Sequence, residues 1–161
     1  MTYYGKNLTQ QATYYKLYDM KHLIVEKFCS FIGNLEMDFD QILETTNKLE
    51  NLLKDLILKQ NYKHFILNCL KGFNTVAHKL LYEYMQKHPK ITLIDIFDDL
   101  PFPLGNLAFK DKLDLVYRAL IDKSDLIVFE LNNYSEKAVF KAFEYAKSKN
   151  KNTIILQQKI V

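Results

Sequence analysis

This sequence has little arginine, cysteine and glycine, and it has no tryptophan at all. Of its 22 basic residues only Arg118 is an arginine, and the net charge of +3 is spread over scattered lysines. A surface that binds nucleic acid needs clustered positive charge, so nucleic acid is not an expected partner. Cys29 and Cys69 form neither a metal-ligand spacing nor a Cys-x-x-Cys pair, which predicts reduced thiols in a reducing compartment.

Long apolar stretches and targeting signals are also missing. No stretch approaches the roughly 20 apolar residues that span a bilayer, and the N-terminus has no signal-peptide pattern. The 4 histidines share no spacing that would chelate a metal ion. We therefore expect a cytoplasmic protein with no membrane contact, and the sequence predicts no metal site of its own.

The chain that remains is well suited to a single folded domain. Its 161 residues are 48% hydrophobic, which is enough for a sizeable core. Residues 1–25 carry several tyrosines without a clean period, and we interpret them as an extension that packs on the domain or on a second subunit. Residues 26–161 form the domain, and a homodimer is the expected assembly.

A strand–helix–strand unit near the C-terminus is the most readable part of the chain. The run from Asp125 to Leu131 is apolar apart from Glu130, which is typical of a strand covered on both faces. Glu136 to Lys149 has helical spacing of its apolar residues, with Ser135 as the predicted N-cap. Thr153 to Leu156 is a second buried strand.

The same alternation extends back to residue 27. Strands are predicted over Phe28–Ile32, His64–Asn68 and Ile91–Phe97, and helices over Phe73–Lys87, Phe109–Ile121 and from the N-cap Asp38 to about Lys59. Asp98 to Asn106 is predicted to be a loop. Strict alternation of five strands and four helices predicts an α/β fold, a parallel sheet with helices on both faces.

Ligands of parallel sheets bind at the carboxyl ends of strands, beside helix N-termini. The candidate binding residues are those that follow the first, second and fourth strands: Gly33, Asn34, Asn68, Gly72, Asn132, Tyr134 and Ser135. The free amides near Ser135 are suited to a phosphate group. Ordinary turns and an ordinary capped helix explain the same residues.

Charged side chains supply the remaining candidates. The guanidinium of Arg118 offers a rigid fork for phosphate or carboxylate, with a salt bridge to Asp122 or Asp125 as the alternative. Three carboxylates are candidates for catalysis: Glu130, Glu136 and Asp98. Asp98 and its neighbour Asp99 form a carboxylate pair that can act as acid and base or hold a hydrated Mg²⁺, and capping of a loop start is the alternative.

Three strings, in this order, resemble a known superfamily. Phe28–Asn34 (F-C-S-F-I-G-N) is similar to a first strand ending in a T-G-H-R type turn, 61–97 resembles a pattern of F-I, G-x-D-x-x-A and Y-P-x-I-x-L-I, and Arg118–Asp125 (R-A-L-I-D-K-S-D) is similar to R-x-M-V-D-x-S-D. These are features of the SMF/DprA–LOG (SLOG) superfamily, nearest its YpsA-like branch. The resemblance implies a Rossmann-like three-layer sandwich, a sheet order of 3-2-1-4-5, a nucleotide-type small molecule as ligand, and Arg118 facing the ligand crevice.

The sequence departs from that superfamily after the fourth strand. Members carry a Gly-rich motif there, whereas residues 132–137 read N-N-Y-S-E-K. LOG-type phosphoribohydrolases also have a catalytic glutamate where Ala138 or Val139 stands here. The resemblance with this degenerate motif implies a sensor-type, non-catalytic domain that binds nucleotides or nucleotide-derived ligands.

Two alternatives remain open at this point. One is an N-glycosidic bond hydrolase or transferase of the LOG phosphoribohydrolase or nucleoside deoxyribosyltransferase type. The other is a degenerate scaffold that acts through protein–protein contacts, which a crevice filled by Tyr134, Phe73 or Leu70 would favour.

Overall fold

The computed structural model describes residues 26–68, 70–100, 104–132 and 134–157. The extension formed by residues 1–25 lies outside the described residues, as does Cys69. In the described part the elements follow in this order: β1 (Phe28–Ile32), α1 (Phe39–Leu58), β2 (His64–Leu67), α2 (Phe73–Lys87), β3 (Thr92–Asp95), a 3-10 turn (Ile96–Asp99), α3 (Phe109–Lys123), β4 (Leu126–Leu131), α4 (Lys137–Ser148) and β5 (Asn152–Gln157).

The predicted fold class is confirmed. All five strands are parallel, in the order β3-β2-β1-β4-β5, so β1 lies at the centre between β2 and β4. The register aligns Ser30 with Ile66 on one side and with Ile127 on the other. Because β1 and β4 are neighbours, the loops that follow them meet at the same edge of the sheet.

Two hydrophobic clusters, one on each face of the sheet, make the protein a three-layer sandwich. On one face α1 and α2 bury Leu49, Leu53 and Leu81 against the sheet. On the other face α3 and α4 contribute their own buried residues, including Leu120 and Val139. Successive strand residues contribute to opposite clusters, as a sheet buried on both faces requires.

The start of α1 confirms its predicted cap. Asp38 Oδ1 accepts a hydrogen bond from the backbone amide of Gln41 at 2.8 Å, and the Gln41 side chain accepts one from the Asp38 amide at 2.9 Å. This reciprocal pair is a capping box, which satisfies two amides that the first helical turn leaves free. The first turn of α1 is therefore well fixed.

Two local predictions were wrong. The third strand ends at Asp95 instead of Phe97, because the Asp95 side chain accepts a hydrogen bond from the Phe97 amide at 3.0 Å and begins a 3-10 turn. The N-cap of α4 is Glu136 instead of Ser135. The Ser135 hydroxyl accepts from the backbone amide of Asn132 at 2.8 Å, so it closes the preceding turn and does not cap the helix.

A membrane span was not expected from the sequence. Among the helices of the described ranges, none has the length and apolar character needed to cross a bilayer.

Candidate functional site at the carboxyl ends of the strands

Asn34 joins the two loops that follow β1 and β4. Its backbone amide and its side-chain Nδ2 both donate to Glu130 Oε2, at 3.0 and 2.9 Å, across 96 positions of the sequence. Its Oδ1 accepts from the backbone amide of Glu136 at 3.0 Å, and Nδ2 also lies 3.3 Å from Ser135 Oγ. With only 7% of its surface exposed, Asn34 uses all its side-chain polar atoms within the protein.

Asn34 also reaches the second strand's loop. Its carbonyl oxygen accepts from the backbone amide of Phe73, the first residue of α2, at 3.0 Å. One asparagine in the loop after β1 therefore bonds to the end of β4, the start of α4 and the start of α2. We call this set of bonds, centred on Asn34, Glu130, Ser135 and Glu136, the strand-end network.

Glu130 is the buried charge of the network. Its side chain is 1% exposed, and Oε1 accepts from Asn132 Nδ2 at 3.3 Å. Burial raises the pKa of the Glu130 carboxyl, the two hydrogen bonds from Asn34 oppose that rise, and the nearby negative charge of Glu136 adds to it. Both carboxylate oxygens are thus bound by the chain itself.

Glu136 binds the next amide along the same loop. Its two carboxylate oxygens lie 3.0 and 3.1 Å from the backbone nitrogen of Leu35, which donates to them. The consecutive amides of Asn34 and Leu35 therefore both point at carboxylates. Successive amides in a loop after a strand form a concavity that suits an anion, and here anions from the chain itself occupy it.

Gly33 and Gly72 allow the loop after β1 to pack directly against the start of α2. Gly72 has φ of +72°, and a Cβ placed on it would collide with the carbonyl oxygen of Asn34 and come within 2.6 Å of that of Leu35. A Cβ on Gly33 would lie 2.6 Å from the side chain of Phe73, which is completely buried. Phe73 and the loop backbone thus occupy the space that these glycines leave.

The other two aromatic or apolar residues expected to fill the crevice behave differently. Leu70 is partly buried and packs on the cluster under α3 and α4. Tyr134 is 86% exposed, and its backbone amide donates to Asn132 Oδ1 at 2.8 Å. Of the three residues, Phe73 is the one that is fully buried against the loop after β1.

Asn68, at the end of β2, is less completely bonded. Its amide donates to Asn74 Oδ1 at 3.2 Å and its Oδ1 accepts from the amide of Leu70 at 3.0 Å. Its Nδ2 is buried and has no hydrogen-bond partner among the described residues. An unpaired buried donor carries a desolvation cost, which Asn34 does not carry because all its side-chain polar atoms are bonded.

Two residues that sequence reasoning missed support this edge. Asn74 Nδ2 donates to the carbonyl oxygen of Phe31 at 2.9 Å and so links α2 to β1. The buried hydroxyl of Tyr117 lies 3.4 Å from the carbonyl oxygen of Gly33 and donates to it, and burial raises its pKa. The sequence did show that Asn74 stands in the first turn of a predicted helix, but nothing in it indicated Tyr117.

Arg118 lies in the groove between α3 and α4, and its contacts are with those helices. Its Nε is 3.2 Å from Asp114 Oδ2, and its guanidinium carbon is 5.0 Å from the ring centre of Tyr145. Arg118 therefore does form the salt bridge of the alternative interpretation, but its partner is Asp114 instead of Asp122 or Asp125. Asp122 accepts instead from the Tyr145 hydroxyl at 2.9 Å, and Asp125 from the Phe28 amide at 2.8 Å. A ligand-binding role for Arg118 stays a prediction.

The remaining acidic candidate lies apart from the network. Asp98 is exposed in the 3-10 turn after β3. Within the part of the chain that the structure describes, no cluster of three or more histidine, cysteine or acidic side chains could hold a metal ion. A role for Asp98 in catalysis or in holding Mg²⁺ stays a prediction.

Comparisons with known proteins agree with the fold. No protein-family model matches the sequence, and no curated protein sequence does. Among solved structures, the fold is similar to that of DNA processing protein A (DprA) from Streptococcus pneumoniae, with a TM-score of 0.58 and 10% sequence identity over 84% of this chain. This chain spans 52% of that protein, about half its length.

At this level of identity the likeness establishes the fold. It is a Rossmann-like α/β fold, which agrees with the fold expected from the sequence, whereas membership of the SLOG superfamily stays a prediction. The YpsA-like branch stays a prediction.

Proposed function

We propose that this chain is a non-catalytic SLOG-type domain that acts through contacts with another protein and not through chemistry at its strand ends. One observation carries the proposal: the carboxylates of Glu130 and Glu136 accept hydrogen bonds from the consecutive amides of Asn34 and Leu35. These bonds occupy both the acids that catalysis would need and the amides that a phosphate would need.

Catalysis at the strand ends would lack a free acid. Cleavage of an N-glycosidic bond requires a carboxylate that is free to approach the sugar. Glu130 is 1% exposed and both its oxygens accept hydrogen bonds, while both oxygens of Glu136 face the Leu35 amide. Asp98 is exposed but lies in the 3-10 turn after β3, and β2 and β1 separate that strand from β4.

The amides that a phosphate would need at the strand ends are already bonded. The amide of Glu136, at the start of α4, is itself bonded to Asn34 Oδ1 at 3.0 Å. A phosphate placed beside these loops would also meet the negative charges of Glu130 and Glu136 without a gain in hydrogen bonds, since the amides are already bonded. The strand-end network therefore favours a crevice that is closed to phosphorylated ligands.

A thermal-shift and base-release experiment tests this. We expect AMP, NAD, ADP-ribose and inorganic phosphate at millimolar concentration to leave Tm unchanged, and nucleoside monophosphates to release no base. A ligand at 100 times its Kd would stabilise the domain by about 2.7 kcal/mol, a shift of several degrees. A shift of that size in the native chain would contradict the proposal.

A variant sharpens the same test. Glu136→Ala frees the Leu35 amide, so phosphate should stabilise this variant more than it stabilises the native chain. Glu144→Ala, which removes an exposed carboxylate from the same helix, is the matched control and should respond as the native chain does.

Binding of a nucleotide-type small molecule is the second candidate function. The buried Nδ2 of Asn68 favours it, because this donor lacks a partner among the described residues and lies at the carboxyl end of β2, where a base could accept from it. In that case a nucleoside should raise Tm in the native chain, and Asn68→Ala should abolish the shift. The Tm shift of Arg118→Ala with the same nucleoside would report whether the groove between α3 and α4 contributes to binding.

A further inference from the structure

A groove between α1 and α2 is the principal feature that the strand-end network leaves unexplained. It has a volume of about 570 Å³. Its floor is apolar and is formed by Leu35, Met37, Ile42, Val76 and Leu80. The groove lies on the face of the protein opposite to α3 and α4, so it is separate from Arg118 and its contacts.

Exposed apolar side chains extend the floor of the groove along α1. Ile42 is 40% exposed, Phe39 is 77% exposed and Leu43 is 53% exposed. Phe39 lies one turn before Ile42 and Leu43, so the three share the side of α1 that borders the groove. A contiguous apolar surface of this kind, edged by polar residues, is typical of an interaction site.

The edges of the groove are mainly acidic. Glu36, Glu50 and Glu83 line it together with a single cation, Lys79. All four are exposed, and none of the ion pairs found within the described ranges involves one of the three glutamates. The chain as a whole has a net charge of +3, so this local excess of negative charge runs against the overall balance.

We propose that the groove binds an amphipathic helix of another protein, with apolar side chains at i, i+3, i+4 and i+7 and with lysines or arginines along its flanks. The apolar floor suits the helix-in-groove mode of recognition, and the three glutamates select the basic flanks. From Ile42 to Glu50 the groove follows α1 for roughly 12 Å, at about 1.5 Å per residue, so two to three turns of the partner helix would lie along it. This inference rests on the proposed function and names the class of partner.

Binding of two synthetic peptides to the full chain tests the inference. Both are labelled 18-residue amphipathic helices with leucine on one face, and they differ only in having lysine or glutamate on the flanks. Fluorescence anisotropy should give a Kd for the lysine peptide that is about tenfold or more tighter than for the glutamate peptide, with the difference shrinking as salt is added.

Matched variants locate the binding. Ile42→Asp should abolish binding of the lysine peptide, whereas Leu58→Asp, at an exposed apolar position at the far end of α1, should leave it unchanged. Glu50→Lys with Glu83→Lys should weaken it about tenfold, and Glu144→Lys on α4 should have no effect. Circular dichroism confirms that each variant is folded.

Several results would overturn the inference. These are no binding of the lysine peptide, equal binding of both peptides, or binding that the groove variants leave unchanged. A dimer that Ile42→Asp dissociates in sedimentation would assign the groove to a second copy of this chain. Carbodiimide cross-links from a lysine of residues 1–25 to Glu50 or Glu83 within a monomer would assign it to that segment.

The two proposals can fail separately. A nucleotide-induced thermal shift contradicts the closed crevice and has no bearing on peptide binding. Loss of peptide binding removes the groove as the docking site and leaves the strand-end network as it is.

Discussion

Asn34 and Asn68 hold equivalent places, each just after a central parallel strand, yet they are bonded very differently. Asn34 follows β1, and its side chain and both backbone polar groups all bond within the protein. Asn68 follows β2, and its Nδ2 has no partner among the described residues. The difference arises because Glu130 at the end of β4 accepts from Asn34 Nδ2 and the Glu136 amide at the start of α4 donates to Asn34 Oδ1. No described residue accepts from Asn68 Nδ2.

The comparison teaches that a residue type in a ligand-binding position does not define a ligand site. The same amide side chain can link loops or remain available for a ligand, and its neighbours in the sheet decide which. Substitutions at and near these strand ends test that difference.

Gly72→Ala should have the largest effect, because it separates the loop after β1 from the start of α2. The new Cβ would meet the carbonyl oxygens of Asn34 and Leu35, and φ of +72° is strained for alanine. We expect a loss of about 3 kcal/mol or more in the free energy of unfolding, measured in urea. Gly105→Ala is the control: φ is +52° there but nothing lies within 4 Å, so about 1 kcal/mol is expected.

Asn34→Ala compared with Asn68→Ala tests the comparison directly. The first substitution removes the side-chain donor to the buried Glu130 carboxylate and to Ser135 Oγ, and it leaves the Glu136 amide without its acceptor, which should cost about 3 kcal/mol. The second removes one acceptor for the Leu70 amide together with an unpaired donor, so about 1 kcal/mol is expected. Equal losses in urea unfolding would contradict the distinction between the two asparagines.

Glu130→Gln should change how stability depends on pH. Burial raises the pKa of Glu130 in the folded protein above its unfolded value, so the folded state binds this proton more tightly. The resulting stabilisation is complete below the unfolded pKa and is lost as pH rises through the folded pKa. As the pH falls from the folded pKa to the unfolded pKa of Glu130, the native protein should therefore gain stability relative to Glu130→Gln. If the difference in the free energy of unfolding between the two proteins stays constant from neutral pH downwards, the pKa of Glu130 is not raised.

Ser30→Ala should have the smallest effect. The Ser30 hydroxyl lies in β1, is buried, and has no hydrogen-bond partner among the described residues. Replacing an unpaired buried polar group with a methyl group should change the free energy of unfolding by no more than about 0.5 kcal/mol, in either direction. A loss well above that in urea would indicate a partner for the hydroxyl in solution.

The order and type of elements could be predicted because each depends on local sequence. Apolar runs ending in turn residues marked the strands, and the Asp38 cap of α1 was visible because its partner Gln41 lies three residues away. The strand order came from the resemblance to a known superfamily and not from periodicity, and the sheet agrees with it.

The candidate site could be located but its bonding could not be predicted. The decisive contact joins Asn34 to Glu130 across 96 positions, and nothing near either residue in the sequence indicates the other. The cap of α4 was misassigned by one residue because the Ser135 hydroxyl bonds backward to Asn132, an outcome that depends on the shape of the turn. Arg118 was likewise assigned the wrong ion-pair partner, since Asp114 lies one helical turn before it on α3.

The carboxylate of Glu136, held against the Leu35 amide, also has a consequence for regulation. A diffusible anion at that position would stabilise the loop after β1 in proportion to its concentration, by mass action. Glu136 is part of the chain, so its effective concentration is set by the fold and does not vary with metabolism. The proposed closed crevice therefore predicts that the geometry of this edge of the sheet is insensitive to the supply of small phosphorylated molecules, and that the surface presented by α1 and α2 stays constant as that supply changes.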